Sequence, residues 1–323
     1  MKIAVLGAGS LGSRFGAALF ERGNDVVLVD PWAEHIDAIR KNGLEVIDDR
    51  ERYTCQIPAF LPKECTGDFD LLLVLSKAMQ TSGLLKKCRH LIHPEVKILT
   101  LQNGLGNIEI MEQFVSREQL YAGVTTYASR LIKPGIIEAI GTGYIELMQV
   151  DGRKEGGEEI AEIWKHAGMN IEVVDDVLQS IWYKAAFNCI LNPLCTIMGT
   201  SVAAVGSYSK METMINEMIE EIIKVGEAEG VKLKKSCIKQ KIQEVFDPAV
   251  SGNHHSSMAL DIQKGRKTEI EFLNGAIVKK ANTHSISVPN NKLLYHFICM
   301  LEEIIKNLPS WGVFYCGDID LKL

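Results

Sequence analysis

Lys184, Asn188 and Asn192 are the polar residues of an otherwise apolar segment, residues 181–196. Their spacing of four places them along one side of a helix, with a drift of roughly 40° per step. A lysine and two amides are costly to bury without partners, so this row is expected to face a cleft. A lysine desolvated in a cleft has a lowered pKa and can supply both positive charge and a proton. In the alternative, structural interpretation, the lysine reaches solvent and the amides cap nearby backbone groups.

A glycine-rich turn lies near the start of the chain. It follows the apolar run 2–6 and precedes a predicted helix at 13–22 and a predicted strand at 25–30. Glycines in a G-x-G-x-x-G motif allow a tight turn and a close approach of the backbone to a pyrophosphate, and the helix N-terminus offers amide donors. Between a strand and a helix, the motif predicts dinucleotide binding by Gly7, Ala8, Gly9, Ser10, Leu11 and Gly12. The alternative is a tight turn that binds no ligand.

Asp30 ends the second predicted strand, 18 residues after Gly12. A carboxylate at this distance binds the ribose 2′-hydroxyl of NAD and would repel the 2′-phosphate of NADP. Because residues 31–34 contain no arginine, the sequence favours NAD(H) as the cofactor. NADP(H) is the alternative if Arg40 or Lys77 compensates from elsewhere. A structural interpretation makes Asp30 the N-cap of the helix predicted at 33–42.

Two further polar residues follow predicted buried strands. Lys77 comes directly after the apolar run 70–76, and Asn103 comes just after the strand predicted at 97–101. Ligands of parallel sheets bind at the carboxyl ends of the strands, so both residues are expected at the cofactor. Asn103 is also a good turn residue, because it is followed by glycine.

Strands and helices alternate in the first half of the chain, whereas helices dominate after residue 175. Further strands are predicted at 120–125, 136–140, 144–150 and 170–174, with 136–140 and 144–150 resembling a hairpin. Helices are predicted at 156–168, 177–198, 210–229, 235–246, 256–284 and 290–307. The predicted fold class is therefore an α/β Rossmann-like N-terminal domain, residues 1–175, plus an all-α C-terminal domain, residues 176–323.

Composition excludes several classes of protein. The 323 residues are 46% hydrophobic and 24% charged, which is typical of a globular protein. A net charge of -6 does not indicate the basic surface that binding of nucleic acid requires. No apolar run approaches the ~20 residues of a membrane span. The N-terminus shows no signal peptide, so a cytoplasmic location is expected. The eight cysteines form no C-x-x-C pair, and adjacent His254 and His255 make a poor metal pair, so no metal is expected.

Two features of the helical half remain open. Met211 to Val225 carry apolar residues at helical spacing, which predicts either core or a dimer face. The helical domain therefore offers surfaces for a homodimer, but the sequence does not define the oligomeric state. The segment 253–271 contains Ser257, Asp261 and Glu269 at multiples of four. Glu269 could serve a site, lie on the surface or pair with Arg266.

The whole chain resembles the ketopantoate reductase family (2-dehydropantoate 2-reductases). The matching motifs occur in the family's order: Gly7–Gly12, Ser76–Lys77, Gln102–Gly106, Trp182–Pro193, Ser256–Ile262, Thr268–Ile270, Asn274–Gly275 and Val288–Asn290. The resemblance implies reduction of 2-dehydropantoate to (R)-pantoate, in pantothenate and coenzyme A biosynthesis, with a nicotinamide cofactor. Hydride delivery to a 2-oxo acid builds an alkoxide at C2, which needs charge stabilisation and a proton.

The same resemblance assigns roles to six residues. Lys184 is the general acid, and Asn103 helps to position cofactor and substrate. The remaining four bind the small-molecule substrate: Asn188 and Asn192 its polar groups, Ser257 its carboxylate and Glu269 its hydroxyl.

One departure from the family pattern concerns the cofactor. Members that use NADPH commonly carry an arginine after the second strand, where this chain has Asp30 and Pro31. An alternative function is therefore an NAD-dependent D-2-hydroxyacid dehydrogenase of the same family, acting on branched or aromatic 2-oxo acids. Glu269 favours ketopantoate, because a substrate without a hydroxyl would leave this carboxylate unpaired. A non-catalytic nucleotide-sensing regulator is less favoured, since the polar residues of the row are retained.

Overall fold

The computed structural model describes residues 1–49, 51–247 and 255–307. Contacts divide the chain into two units, the first comprising residues 1–102 and 106–180, the second residues 103–105 and the chain from 181 onward. The first unit is α/β and the second is helical, which confirms the predicted fold class. Within the described ranges, no helix has the length and apolar character needed to cross a membrane.

The first unit alternates strands and helices. Its elements are β1 (Lys2–Leu6), α1 (Ser10–Phe20), β2 (Asp25–Val29), α2 (Ala33–Asn42), β3 (Leu44–Ile47), β4 (Arg52–Cys55), β5 (Ala59–Phe60), β6 (Leu71–Val74), α3 (Thr81–Lys87), β7 (Lys97–Thr100), α4 (Asn107–Met111), β8 (Leu120–Thr125), β9 (Ala128–Lys133), β10 (Ile136–Ile140), β11 (Ile145–Gln149), α5 (Glu155–His166) and β12 (Ile171–Val173).

Eight of these strands form the main sheet, in the order β12-β11-β8-β7-β6-β1-β2-β5. The central strands are parallel, and Val5 of β1 pairs with Leu28 on one side and Leu73 on the other. Strands β1 and β6 are almost wholly buried, because apolar clusters cover both faces of the sheet. The carboxyl ends of β7, β6, β1 and β2 therefore lie at one edge, where the glycine motif follows β1.

A second sheet has the order β4-β3-β10-β9 and was not predicted as a sheet. Strand β10 pairs with β9 and β3, whereas β11 joins the main sheet beside β8 and β12, so the predicted hairpin of 136–140 with 144–150 is wrong. The chain changes sheets at Gly141–Gly143. Gly141 has a φ of +53°, and a Cβ on Gly143 would lie 2.5 Å from the backbone nitrogen of Tyr127. These glycines turn the chain away from the hairpin partner.

The second unit is built on seven helices in the described residues, the first of which begins at the end of the first unit. They are α6 (Val177–Met198), α7 (Val202–Gly206), α8 (Met211–Ala228), α9 (Lys235–Phe246), α10 (Ser257–Gln263), α11 (Asn274–Thr283) and α12 (Pro289–Asn307). The apolar row of α8 packs in the core of this unit, so the core interpretation of that row is correct.

The single helix predicted at 256–284 is wrong, because the chain breaks into α10, a 3-10 turn at 270–272 and α11. Gly265 has a φ of +63°, which ends the regular helix geometry. Directly after it, the backbone N–H of Arg266 donates to the carbonyl of Asp261, and the Arg266 side chain pairs with the Asp261 carboxylate at 2.7 Å. This local closure redirects the chain before Glu269.

Candidate active site

Helix α6 is buried for most of its length and contains a proline, Pro193. Proline has no backbone N–H, so the carbonyl of Cys189 loses its donor within the helix. The side-chain nitrogen of Asn274, the first residue of α11, donates to this carbonyl at 2.9 Å and to the side-chain oxygen of Asn291 at 3.1 Å. A side chain from another helix therefore completes the backbone bonding of α6.

The predicted polar row lies on α6, four residues apart. Asn188 is buried, with 9% of its surface exposed, and Lys184 and Asn192 are half-buried. The carbonyl of Asn192 accepts hydrogen bonds from the hydroxyls of Thr196 at 2.6 Å and Ser256 at 3.3 Å. The row thus combines one amine and two amides in a mostly apolar helix, as expected from the sequence.

The two adjacent serines before α10 have different environments. Ser256 is buried and caps the helix, because its hydroxyl accepts from the backbone N–H of Ala259 at 3.2 Å while donating to Asn192. Ser257, the predicted carboxylate ligand, is the first helical residue, and its side chain is exposed. Sequence reasoning gave Ser256 no role of its own. A serine before the apolar start of a helix is an N-cap signal that identifies it.

Glu269 is held by its neighbour in sequence. Thr268 is fully buried, and both its backbone N–H and its hydroxyl donate to the Glu302 carboxylate, at 2.7 and 2.6 Å. The Thr268 hydroxyl also accepts from the backbone N–H of Ile270 at 3.2 Å. Half-buried Glu269 therefore leads into the 3-10 turn at a fixed position, while Arg266 pairs with Asp261.

Asn103 lies in a turn that contacts this 3-10 segment. The backbone N–H of Leu105 donates to the carbonyl of Phe272 at 2.7 Å. Between them, Gly104 has a φ of +90°, and a Cβ there would lie 2.4 Å from the same carbonyl. Only glycine fits, so the Asn-Gly turn that sequence reasoning offered as an alternative is present. It brings Asn103 close to the segment that begins with Glu269.

Burial is the main cause of the lowered pKa of Lys184. Burial lowers the pKa of Lys184 to about 8, the negative charge of Glu269 opposes this shift, and the positive charge of Lys241 adds to it. Lys241 lies on α9, and no sequence motif drew attention to it. An amine with a pKa of about 8 is mostly protonated at neutral pH and still releases its proton readily.

The glycine motif forms a cradle in the first unit. Gly7 has a φ of +100°, and a Cβ on it would lie 2.3 Å from the backbone nitrogen of Ser76, at the end of the neighbouring strand. A Cβ on Gly12 would lie 2.0 Å from the carbonyl of Gly7, whereas one on Gly9 would meet no atom within 4 Å. Gly9 is the N-cap of α1, which Ser10 and Leu11 begin. The open space at this helix N-terminus suits a pyrophosphate, so the residues fit the cofactor.

Asp30 and Lys77 lie at the same edge of the main sheet, and both are half-buried. The Asp30 carboxylate accepts from the backbone N–H of Trp32 at 2.9 Å. Burial raises the pKa of Asp30, whereas hydrogen bonds from the backbone of Trp32 and Ala8 oppose that shift. Trp32 is the N-cap residue of α2, so the interpretation of Asp30 as that N-cap is wrong. Lys77 precedes a 3-10 turn at 78–80.

Both halves of the chain match descriptions of one protein family. The model described as "Ketopantoate reductase PanE/ApbA" matches residues 3–152, and "Ketopantoate reductase PanE/ApbA C terminal" matches residues 176–302. The chain belongs to the ketopantoate reductase family. It is therefore an oxidoreductase with a nicotinamide cofactor, and its Rossmann-like N-terminal domain is that of the family.

Individual relatives agree over nearly the whole length. The 2-dehydropantoate 2-reductase of Lactococcus lactis subsp. lactis (strain IL1403) is 33% identical over 310 residues, which cover 95% of this chain and 99% of the relative. A solved ternary structure of D-mandelate dehydrogenase with NADH and anilino(oxo)acetate is 34% identical, with a TM-score of 0.91, covering 94% of this chain and 99% of that one. The 2-dehydropantoate 2-reductase from Geobacter metallireducens GS-15 is 27% identical, with a TM-score of 0.86, covering 93% and 99%.

Proposed function

We propose that this protein is a 2-dehydropantoate 2-reductase, which reduces ketopantoate to (R)-pantoate for pantothenate and coenzyme A biosynthesis. The observation that carries the proposal is the position of Lys184 on a largely buried helix, in the same helical unit as Glu269, whose negative charge acts on the pKa of Lys184. The row of Asn188 and Asn192 on the same helix as Lys184 adds neutral groups that suit a polar substrate.

Each side chain has a task in this reaction. The bound nicotinamide supplies a hydride to the C2 carbonyl of the 2-oxo acid. As the carbonyl oxygen gains negative charge, the Lys184 ammonium stabilises it and donates a proton to it. Asn188 and Asn192 orient the substrate through hydrogen bonds and add no competing charge.

Recognition of ketopantoate needs partners for its carboxylate and its hydroxyl. The exposed hydroxyl of Ser257 is available to the carboxylate, and the Glu269 carboxylate accepts from the substrate hydroxyl. Asn103, close to the segment that follows Glu269, positions both substrate and cofactor. The hydroxyl contact favours ketopantoate over a plain branched 2-oxo acid, which would leave Glu269 without that partner.

The two proposed domains divide this work. Residues 1–175 hold the cofactor, with Gly7, Ala8, Gly9, Ser10, Leu11 and Gly12 at the pyrophosphate, and residues 176–323 hold the substrate. Lys77 and Asn103 contact the cofactor at the sheet edge, and Asp30 binds the ribose 2′-hydroxyl. A carboxylate at Asp30 favours NAD(H) over NADP(H).

Initial rates with purified protein test the proposal. NADH and NADPH are each paired with ketopantoate, 2-oxoisovalerate and phenylglyoxylate, and nicotinamide absorbance is followed. We expect ketopantoate to have the highest kcat/KM. A preference for the two substrates without a hydroxyl would identify a D-2-hydroxyacid dehydrogenase, and binding of NADH without turnover of any substrate would identify a regulator.

A further inference from the structure

The backbone on both sides of Glu269 is held by hydrogen bonds. The backbone N–H and the hydroxyl of Thr268 both donate to one oxygen of Glu302, Oε1, at 2.7 and 2.6 Å. The same hydroxyl accepts from the backbone N–H of Ile270 at 3.2 Å. The carbonyl of Glu269 itself accepts from the backbone N–H of Phe272 at 2.9 Å. The position of Glu269 therefore depends on a contact that Glu302 completes from another helix, α12.

The donors of this contact are shielded from water. Thr268 is fully buried, and so is Ile270. Loss of the Glu302 oxygen would leave a buried N–H and a buried hydroxyl without their acceptor, so the chain would have to move to find new partners. A carboxylate is a strong acceptor here, because hydrogen bonds to an ionised group are roughly twice as strong as those between neutral groups. Glu302 thus fixes the residue that directly precedes Glu269.

Glu302 can hold another residue in place because its own helix is well anchored. Near the start of α12, Asn290 and Asn291 each donate from the backbone and from the side chain to the Glu221 carboxylate, at 2.8 to 3.0 Å. Glu221 lies on α8 and is buried. The side chain of Ile298, one turn before Glu302, packs in the core of the second unit. This support meets the requirement that a residue which orients a site is itself immobilised.

The same helix also holds the far end of the segment that contains Glu269. The side-chain nitrogen of Asn274 donates to the side-chain oxygen of Asn291 at 3.1 Å. Asn291 and Glu302 are 11 residues apart on α12, roughly 16 Å along its axis at 1.5 Å per residue. Helix α12 therefore contacts the chain at residue 268 and again at residue 274, before and after the 3-10 turn that Glu269 leads into.

We propose that Glu302 is a positioning residue for substrate selection, which acts through Thr268 to fix the Glu269 carboxylate where the hydroxyl of a 2-oxo acid is recognised. The inference rests on the proposed function, in which Glu269 accepts a hydrogen bond from that hydroxyl. Glu302 needs no contact of its own with substrate or cofactor. Displacement of Glu269 would lengthen the hydrogen bond to the substrate and remove the selectivity that it provides.

Selectivity for the hydroxyl tests this role. Trimethylpyruvate is the matched substrate, because it carries hydrogen in place of the hydroxyl of ketopantoate and is otherwise the same 2-oxo acid. In Glu302→Ala, the ratio of kcat/KM for ketopantoate to that for trimethylpyruvate should fall by roughly 10- to 150-fold, the equivalent of one hydrogen bond to a charged group. The rate with trimethylpyruvate should change little. Equal losses with both substrates would show that Glu302 has only a structural role, and the proposal would be wrong.

Three further variants separate the hydrogen bonds of Glu302 from its charge. Glu302→Gln keeps a side-chain oxygen that can accept from Thr268, so it should retain most of the wild-type ratio. Thr268→Val removes the hydroxyl from the other side of the contact, and it should lower the ratio even if Glu302→Ala does not fold. Glu303→Ala, at the exposed neighbouring position on α12, is the control and should keep the wild-type ratio. A loss in Glu302→Gln as large as that in Glu302→Ala would contradict the proposal.

The titration of Lys184 provides a readout that does not depend on the substrate. Burial lowers the pKa of Lys184, and the negative charge of Glu269 opposes that shift. Displacement of Glu269 in Glu302→Ala should therefore lower the pKa further, with no additional effect in a Glu269→Gln background. NMR of isotope-labelled dimethyl-lysine groups follows the titration, and Lys184→Ala assigns the signal. Loosened packing alone would admit water and raise the pKa instead.

The two readouts distinguish failure of this inference from failure of the proposed function. A wild type that does not prefer ketopantoate to trimethylpyruvate would contradict the proposed function, and the titration of Lys184 would still decide whether Glu302 positions Glu269. If the wild type has that preference, and Glu302→Ala changes neither the ratio nor the pKa of Lys184, the positioning role of Glu302 is wrong and the proposed function stands.

Discussion

At the scale of single residues, the proposed role of Lys184 as general acid predicts the pH range of the reaction. In that role reduction needs the protonated amine, and raising the pH through its pKa removes that proton. With the pKa of Lys184 lowered to about 8, kcat/KM for reduction should be constant near neutral pH and fall tenfold per pH unit above about 8. Initial rates across this range provide the measurement. If kcat/KM stays constant up to the ordinary pKa of lysine, about 10.4, Lys184 is excluded as the acid.

The fall of kcat/KM above about pH 8 is the alkaline limb of the pH profile. Substitution of the two charged neighbours of Lys184 should shift this limb in opposite directions. Removing the positive charge in Lys241→Ala should raise the pKa of Lys184 and shift the limb to higher pH. Removing the negative charge in Glu269→Gln should lower the pKa and shift the limb to lower pH. The pH profile reports this independently of substrate affinity. Shifts in the same direction, or none, would contradict the assigned electrostatics.

Asp30 is expected to control the choice of cofactor. Asp30→Ala removes the carboxylate that repels a 2′-phosphate, so the ratio of kcat/KM with NADH to that with NADPH should approach one. Asp25→Ala is a useful control, because Asp25 begins the same strand, β2, and is exposed. A wild type that already prefers NADPH would refute this interpretation.

At the scale of elements, the effects of Pro193 and Asn274 on stability are expected to be coupled, because both act on the Cys189 carbonyl. Asn274→Leu should leave the Cys189 carbonyl buried without a donor, at a cost of about 1–3 kcal/mol in the free energy of unfolding. In a Pro193→Ala background a backbone N–H is available again, so the same substitution should cost less. Urea denaturation measures both. Asn282→Leu, at an exposed site on α11, is the control, and equal costs in both backgrounds would contradict the coupling.

The elements that sequence predicts well are those fixed by local patterns. The apolar run before Gly7 places β1 correctly, and the helices predicted at 177–198 and 235–246 have the observed bounds. Helix α1 exists as predicted, but it begins three residues earlier and ends two residues earlier than the predicted range 13–22. The second sheet depends on pairing between distant strands, and β4 and β9 are too polar to stand out. The break before Glu269 depends on the contact of Arg266 with Asp261, which no periodicity reveals.

In the candidate site, too, the features fixed by local sequence are predictable and those that depend on contacts between helices are not. The spacing on α6 predicts that Lys184, Asn188 and Asn192 share one side of a helix, because helix geometry is local. Ser256 has only the local signal of an N-cap serine, and its hydrogen bond to the Asn192 carbonyl depends on a contact between helices. The effect of Lys241 on Lys184 also acts between helices, and the sequence gives no signal for it. The roles of Ser257 and Glu269 in substrate binding stay predictions until the variants are measured.

At the scale of the whole molecule, cofactor binding and proton donation should be separable. The glycine cradle belongs to the first unit and Lys184 to the second. Lys184→Ala should lower turnover by at least ~10²-fold, the usual scale for a general acid. It should nevertheless keep the rise in melting temperature that NADH produces by binding the folded state. Loss of the thermal shift would mean that Lys184 also supports the cofactor site.

The proline in α6 also bears on how the chain is made. Synthesis proceeds from the N-terminus, and domains fold as the chain emerges. The carbonyl of Cys189 accepts its hydrogen bond from the side chain of Asn274, which lies 85 residues later in the chain. A nascent chain released from the ribosome before that point would contain the segment with Lys184 but not its last hydrogen-bond donor. The helix that carries the proposed acid should therefore become fully protected from hydrogen exchange only late in translation.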